Sequence, residues 1–81
     1  MEILVLGTGC AKCETLLKNV HQALEATGTS ATVRKISDIK EIMNYRILMT
    51  PGLVIDGAVK TAGRVPKPEE ICTLLTEAAG V

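Results

Sequence analysis

Gly7-Thr8-Gly9-Cys10-Ala11-Lys12-Cys13 follows a short apolar run, Ile3-Leu4-Val5-Leu6, and opens a pattern of helical spacing that continues to about residue 26. A run that is apolar at every position reads as a strand covered on both faces. The two cysteines therefore stand where a strand hands over to a helix. Their i, i+3 spacing makes them neighbours on one helical face, about 5–6 Å apart, within the span that a disulfide tolerates. Cys10 falls near the helix N-terminus, where unpaired N–H groups and the positive end of the dipole favour a thiolate. The chemistry that fits is thiol–disulfide exchange. Gly7 and Gly9 read as the residues that let the chain turn sharply, and Thr8 is a candidate cap.

Beyond the cysteines, Leu16, Leu17, Val20, Ala23 and Leu24 form one apolar stripe, and Gly28 stands at the C-cap position. Residues 31–36, rich in β-branched side chains, suit a second strand and complete a βαβ unit with parallel strands. Asp38 and Glu41 have the spacing of a capping box for a second helix running to Arg46 or Ile47. Residues 52–56 read as a strand, Asp56-Gly57 as a hairpin turn and residues 58–62 as the returning strand. Pro68 suits the first turn of a last helix, whose stripe is Ile71, Leu74, Leu75 and Ala78. The order β-α-β-α-β-β-α implies a single α/β domain over residues 1–81, a four-stranded mixed sheet with helices on both faces.

Composition narrows the function. The chain has 81 residues, 47% of them apolar, a formal net charge of +0 and one aromatic residue, Tyr45. Neither a basic excess nor aromatic platforms point to nucleic acid. No apolar run approaches the ~18 residues that a membrane span needs. Glu2 stands where a signal peptide would be basic, so the expected compartment is the reducing cytoplasm. There a close cysteine pair is catalytic or metal-binding rather than a structural staple.

Three motifs in this order and spacing carry a resemblance over essentially the whole length. They are the Gly7-to-Cys13 stretch, Thr50-Pro51-Gly52-Leu53-Val54-Ile55-Asp56-Gly57, and Gly63-Arg64-Val65-Pro66 before the last helix. The chain resembles the small thioredoxin-like redox-active disulfide proteins, which have the thioredoxin fold. The resemblance implies a protein thiol–disulfide oxidoreductase, a reductant or electron carrier, that cycles a disulfide between Cys10 and Cys13. Cys10 would be the exposed nucleophile and Cys13 the partly buried resolving cysteine. Pro51 would be cis and face the pair, with Thr50 and Gly9 helping to hold a docked substrate strand. Disulfide-containing proteins would be the substrates, and a thioredoxin-reductase-like donor would reset the pair. No cofactor beyond the disulfide is implied, and a monomer is the expected state.

The sequence departs from better-known members. Gly9 stands where they carry Trp, Ala11-Lys12 where they carry Gly-Pro, and the all-apolar first strand offers no carboxylate behind the cysteines. The glutathione motif of glutaredoxins is not matched around Ala62-Gly63-Arg64. Lys12 is the cation expected to lower the Cys10 pKa, with Glu14 acting against it. The alternative function is soft-metal carriage, copper or zinc, by the same two thiolates. Cys72 reads as a half-buried apolar residue and His21 as a surface residue too far along the helix to pair with a cysteine. Asp56 reads as turn chemistry alone, and Arg64, Lys67, Glu69 and Glu70 as a solvated helix start. Leu48 and Val65 are the exposed apolar residues expected to form a docking surface.

Overall fold

The N-terminal apolar run forms β1 (Glu2–Leu6), buried from Ile3 onward. The computed structural model describes residues 1–9 and 11–80, so Cys10 and Val81 lie outside the described residues. After β1 come α1 (Ala11–Thr27), β2 (Thr32–Ile36), α2 (Ile39–Met43), β3 (Gly52–Ile55), β4 (Ala58–Ala62) and α3 (Pro68–Ala78). The four strands lie in the order β2-β1-β3-β4. β1 runs parallel to β2 and antiparallel to β3, and β3 pairs antiparallel with β4. The sheet is mixed and flanked by helices on both faces, a thioredoxin-like arrangement.

Alternation along the strands divides the core between the two faces. Ile3 and Val5 of β1 join Leu53 and Ile55 of β3 beneath α1 and α3, where Leu16, Val20, Ile71 and Leu75 close the layer. Leu4, Leu6 and Val54 face the other way, against Ile36 and Ile42, with Tyr45 and Ile47 packed alongside. The register sets this division, since Leu4 pairs with Val54 and Val5 with Leu53. Both faces of β1 are thus covered, as its unbroken apolar sequence requires.

The ends of the elements explain how the chain turns. Gly28 adopts φ +66°, and α1 closes with bonds from the Gly28 N–H to the Glu25 carbonyl at 3.3 Å and from the Thr29 N–H to the Leu24 carbonyl at 3.1 Å. This is the paired closure of a Schellman cap. Asp38 caps α2 by accepting from the Lys40 N–H at 2.8 Å. α2 is shorter than its apolar spacing suggests. Asn44, Tyr45 and Arg46 donate three residues back, and Arg46 then enters the left-handed region at φ 58°, which ends the helix.

Asp56 and Gly57 both have positive φ, 48° and 84°, the geometry of a tight two-residue hairpin turn. Asp56 does more than turn. Its Oδ1 accepts from the Glu2 N–H at 2.8 Å, and its own N–H donates to the Glu2 carbonyl at 2.8 Å. The hairpin is thereby tied to the start of β1. A register shift between Leu53 and Val54 leaves Lys60 unpaired in β4.

Thr61 pairs with Leu53, so its side chain enters the layer beneath α1 and α3. Its hydroxyl is buried and has no hydrogen-bond partner. Burying such a group unpaired costs about 1–3 kcal/mol. Thr61→Val keeps the shape and removes the hydroxyl. It is expected to raise the unfolding free energy by about 1 kcal/mol, read as a higher urea midpoint with unchanged slope.

Candidate active site

The first turn of α1 brings a sulfur to the carboxyl end of β1. Cys13 heads the buried stripe of that helix, followed by Leu16, Val20 and Ala23, and is itself fully buried. It rests on Gly7. A Cβ built on Gly7 would overlap the Cys13 Sγ, and would stand 3.4 Å from the Cys13 Cβ and 4.0 Å from the Pro51 Cα. Gly7 opens the bend that the sequence reading expects, but without a left-handed φ; it is glycine because the thiol occupies the space of its side chain. Gly9 is the turn residue, at φ +90°, and a Cβ there would meet nothing within 4 Å.

Pro51 closes on the site from β3. Because Leu6 pairs with Gly52, the residue just before Gly52 lies beside Gly7. The Thr50–Pro51 peptide bond is cis. Pro51 is buried, and its carbonyl accepts from the Gly63 N–H at 2.9 Å. Thr50 is exposed. Gly63 in turn lies against the preceding residue, since a Cβ on it would stand 3.1 Å from the Cβ of Met49. The structure thus gathers Gly9, Cys13, Thr50 and Pro51 at one end of the sheet. The Cys10 assignment lies outside the described residues.

The segment before α3 is held in place around this site. Asn19 Nδ2 donates to the Pro66 carbonyl at 3.0 Å. Arg64 grips Glu70 with two parallel bonds of 2.8 and 2.5 Å. These hydrogen bonds hold the Glu70 carboxyl below its usual range and raise Arg64. The pair's contribution is therefore complete at neutral pH and is lost as acid protonates Glu70. Arg64 and Glu70 form a planar clasp, which corrects their reading as merely solvated. The apolar rim also differs from expectation. Leu48 is 99% exposed and Met49 66%, but Val65 is half-buried and leans on the core.

Lys12 is exposed on α1. The cation engaged beside the site is Lys35 of β2, whose Nζ lies 2.6 Å from the Glu14 Oε1. Sequence reasoning missed this pair, because only the strand register reveals that residue 35 shares a face with α1. His21 is exposed, and Cys72 is half-buried between α3 and α1, its sulfur 3.9 Å from the Ala23 carbonyl oxygen. Among the described residues no group of three or more His, Cys, Asp or Glu side chains could hold a metal ion. No described helix is long and apolar enough to cross a membrane.

A strand-to-helix cysteine site facing a proline loop defines the thioredoxin class of fold and chemistry, and comparison with known proteins agrees. The family model described as "Thioredoxin domain" matches residues 1–76. A protein named thioredoxin from Methanothermobacter thermautotrophicus is 40% identical over 76 residues, covering 94% of this chain and 99% of that one. A second so named, from Methanocaldococcus jannaschii, is 38% identical over 69 residues, covering 85% of this chain and 79% of the other. The chain belongs to the thioredoxin family of thiol–disulfide oxidoreductases. Neither the fold nor these relatives support the soft-metal alternative.

The packing at Gly7 generates a sharp comparison. Gly7→Ala forces a methyl group into the Cys13 sulfur and is expected to destabilise by about 1–3 kcal/mol and to disturb the reactivity of that thiol. Gly9→Ala meets no steric contact and costs only the left-handed backbone, about 1 kcal/mol. Urea unfolding of the two variants, with thiol counting under native conditions, checks the order.

Proposed function

We propose that the protein is a cytoplasmic, monomeric reductant of protein disulfides, cycling a disulfide between Cys10 and Cys13. The observation that carries this reading is the burial of the Cys13 sulfur against Gly7, opposite Pro51 and in the first turn of α1. A thiol so enclosed is sheltered from bulky substrates yet sits one helical turn from the sequence position of Cys10, which suits a resolving rather than an attacking role. Cys10, beside the start of the helix, is the nucleophile.

In the cycle, the Cys10 thiolate attacks one sulfur of a substrate disulfide. The substrate S–S bond breaks, a mixed disulfide forms and the other substrate sulfur leaves as a thiolate. The Cys13 thiolate then attacks the Cys10 sulfur. The mixed disulfide breaks, the second substrate sulfur departs with the electron pair, and the Cys10–Cys13 bond remains. Two electrons have passed to the substrate, and a dithiol donor, a thioredoxin-reductase-like protein, returns them. The exposed Thr50 beside Pro51, together with Gly9, offers backbone groups for an extended substrate strand. Leu48 and Met49, exposed next to them, give that strand an apolar margin.

Trapping tests the assignment. Cys13→Ser is expected to accumulate a mixed disulfide with an oxidised two-cysteine peptide, seen as a single added peptide mass lost on reduction. Cys10→Ser is expected to accumulate none and to have no turnover. Equal trapping by both variants would reverse or remove the proposed roles.

A further inference from the structure

Most charges near the reactive end of the sheet already have partners. Glu14 is held by Lys35, and Glu70 binds Arg64 through both oxygens. Asp38, Lys40, Glu41 and Arg46 belong to α2 and its exit, which pack through Ile42, Tyr45 and Ile47 on the face of the sheet opposite α1. The approach to α3 lies level with Asn19, whose side chain donates to the Pro66 carbonyl. That is about 9 Å along α1 from Cys13, so Lys67 and Glu69 stand back from the thiol. Residues 8, 9 and 11, and residues 47–51, 62 and 63, carry no charge.

Lys12 is the exception. It is the second residue of α1, exposed, and about 100° round the helix from the buried Cys13. Among the described residues no carboxylate lies within ion-pair distance of its ammonium. On the β4 side of Pro51 the surface is apolar instead. Met49 lies against Gly63, where an added Cβ would stand 3.6 Å from the Met49 sulfur, and the Gly63 N–H donates to the Pro51 carbonyl. Met49 is nonetheless mostly exposed, and Leu48 beside it is almost wholly so. The cysteine site is thus bordered by an unpaired cation on α1 and by an apolar ledge before Pro51.

We propose that these two borders select the substrate, a protein segment in which the disulfide is flanked by an acidic residue that meets Lys12 and an aliphatic residue that meets Leu48 and Met49. The proposal rests on the disulfide reduction inferred above and adds the class of substrate. A carboxylate gains an attraction at Lys12 that no group of the protein already supplies, whereas a basic segment meets an uncompensated like charge. Glu14 and Glu70 oppose an acidic segment little, because their own partners neutralise them. An unbranched thioether adapts to aliphatic side chains of different shape. Lys12, Leu48 and Met49 are specificity-determining residues, and the electron transfer stays with the cysteines.

Single-turnover reduction of designed peptides tests this. Pre-reduced protein is mixed with oxidised two-cysteine peptides that share one disulfide loop and differ beside it: acidic with Leu, basic with Leu, and acidic with Ser. Each rate constant is divided by that of dithiothreitol with the same peptide, which removes the peptide's own reactivity. The acidic Leu peptide is expected to react about three- to tenfold faster than the basic one, the scale of exposed charge contacts. Lys12→Met is expected to erase that preference and Lys12→Glu to reverse it. A change in Cys10 ionisation caused by either substitution multiplies all rates alike and cancels in the ratios. Concentrated salt should shrink the charge preference and leave the preference for Leu over Ser. The double variant Leu48→Ser, Met49→Ser is expected to lose the latter. Equal normalised rates for the acidic and basic peptides, an acidic preference that survives Lys12→Glu, or a Leu preference that survives the double substitution would overturn the inference and leave disulfide reduction standing. A wild type that reduces none of the peptides that dithiothreitol reduces would overturn the proposed function and the inference with it.

Discussion

The sulfur of Cys13 lies where the side chain of residue 7 would be, and that contact organises the end of the molecule that reacts. It requires glycine at the end of β1, fixes how deeply the first turn of α1 can seat, and leaves room for Pro51 on the neighbouring side. Antiparallel pairing of Leu6 with Gly52 brings Pro51 there, and the bond from the Gly63 N–H to the Pro51 carbonyl ties the next segment to it. The aliphatic layers on either side of β1 hold these segments in register. In a close-packed interior a single added methyl group is felt, so a glycine under a sulfur constrains more than its size suggests.

Around this packed centre the polar groups lie at the margin and work in pairs. Glu14 with Lys35 fastens α1 to β2 and Arg64 with Glu70 fastens the loop before α3, while at the far end of β1 the Glu2 N–H donates to Asp56 and fastens the hairpin. Exposed ion pairs contribute little to stability on their own. The value of the two ion pairs lies in placement, because they anchor α1 and the loop before α3, which border the thiol. Membership of the thioredoxin family gives this arrangement its chemistry, and β1 places only apolar side chains from Ile3 to Leu6 beneath it.

Much of the fold was legible because it follows from local patterns. The unbroken apolar run of β1, the stripe of α1, the Asp56-Gly57 turn and the Pro68 helix start each carry their reason in adjacent residues. The cysteine spacing marked a candidate site because two glycines and a strand precede it, and of its two members the described residues include Cys13. What could not be read depended on partners distant in the chain. Gly7 looks like a turn glycine until α1 is laid over it. Lys35 looks like a solvated strand residue until its register with Val5 is known, which is why Lys12, nearer in sequence, was the expected cation. Val65 looks exposed by its place in a loop beside the site, yet that loop folds back on the core. The early end of α2 arises from Arg46 entering the left-handed region, a conformation that its sequence does not announce.

The proposed chemistry requires Cys10 and Cys13 to exchange electrons as a pair. The most direct measurement is a titration of the purified chain in dithiothreitol redox buffers with chelator present, alkylating the remaining thiols and reading the mass. One two-electron transition is expected, consuming two of the chain's three thiols and disappearing in Cys10→Ser. Thiols that stay alkylatable across every buffer, or a transition that survives Cys10→Ser, would contradict it.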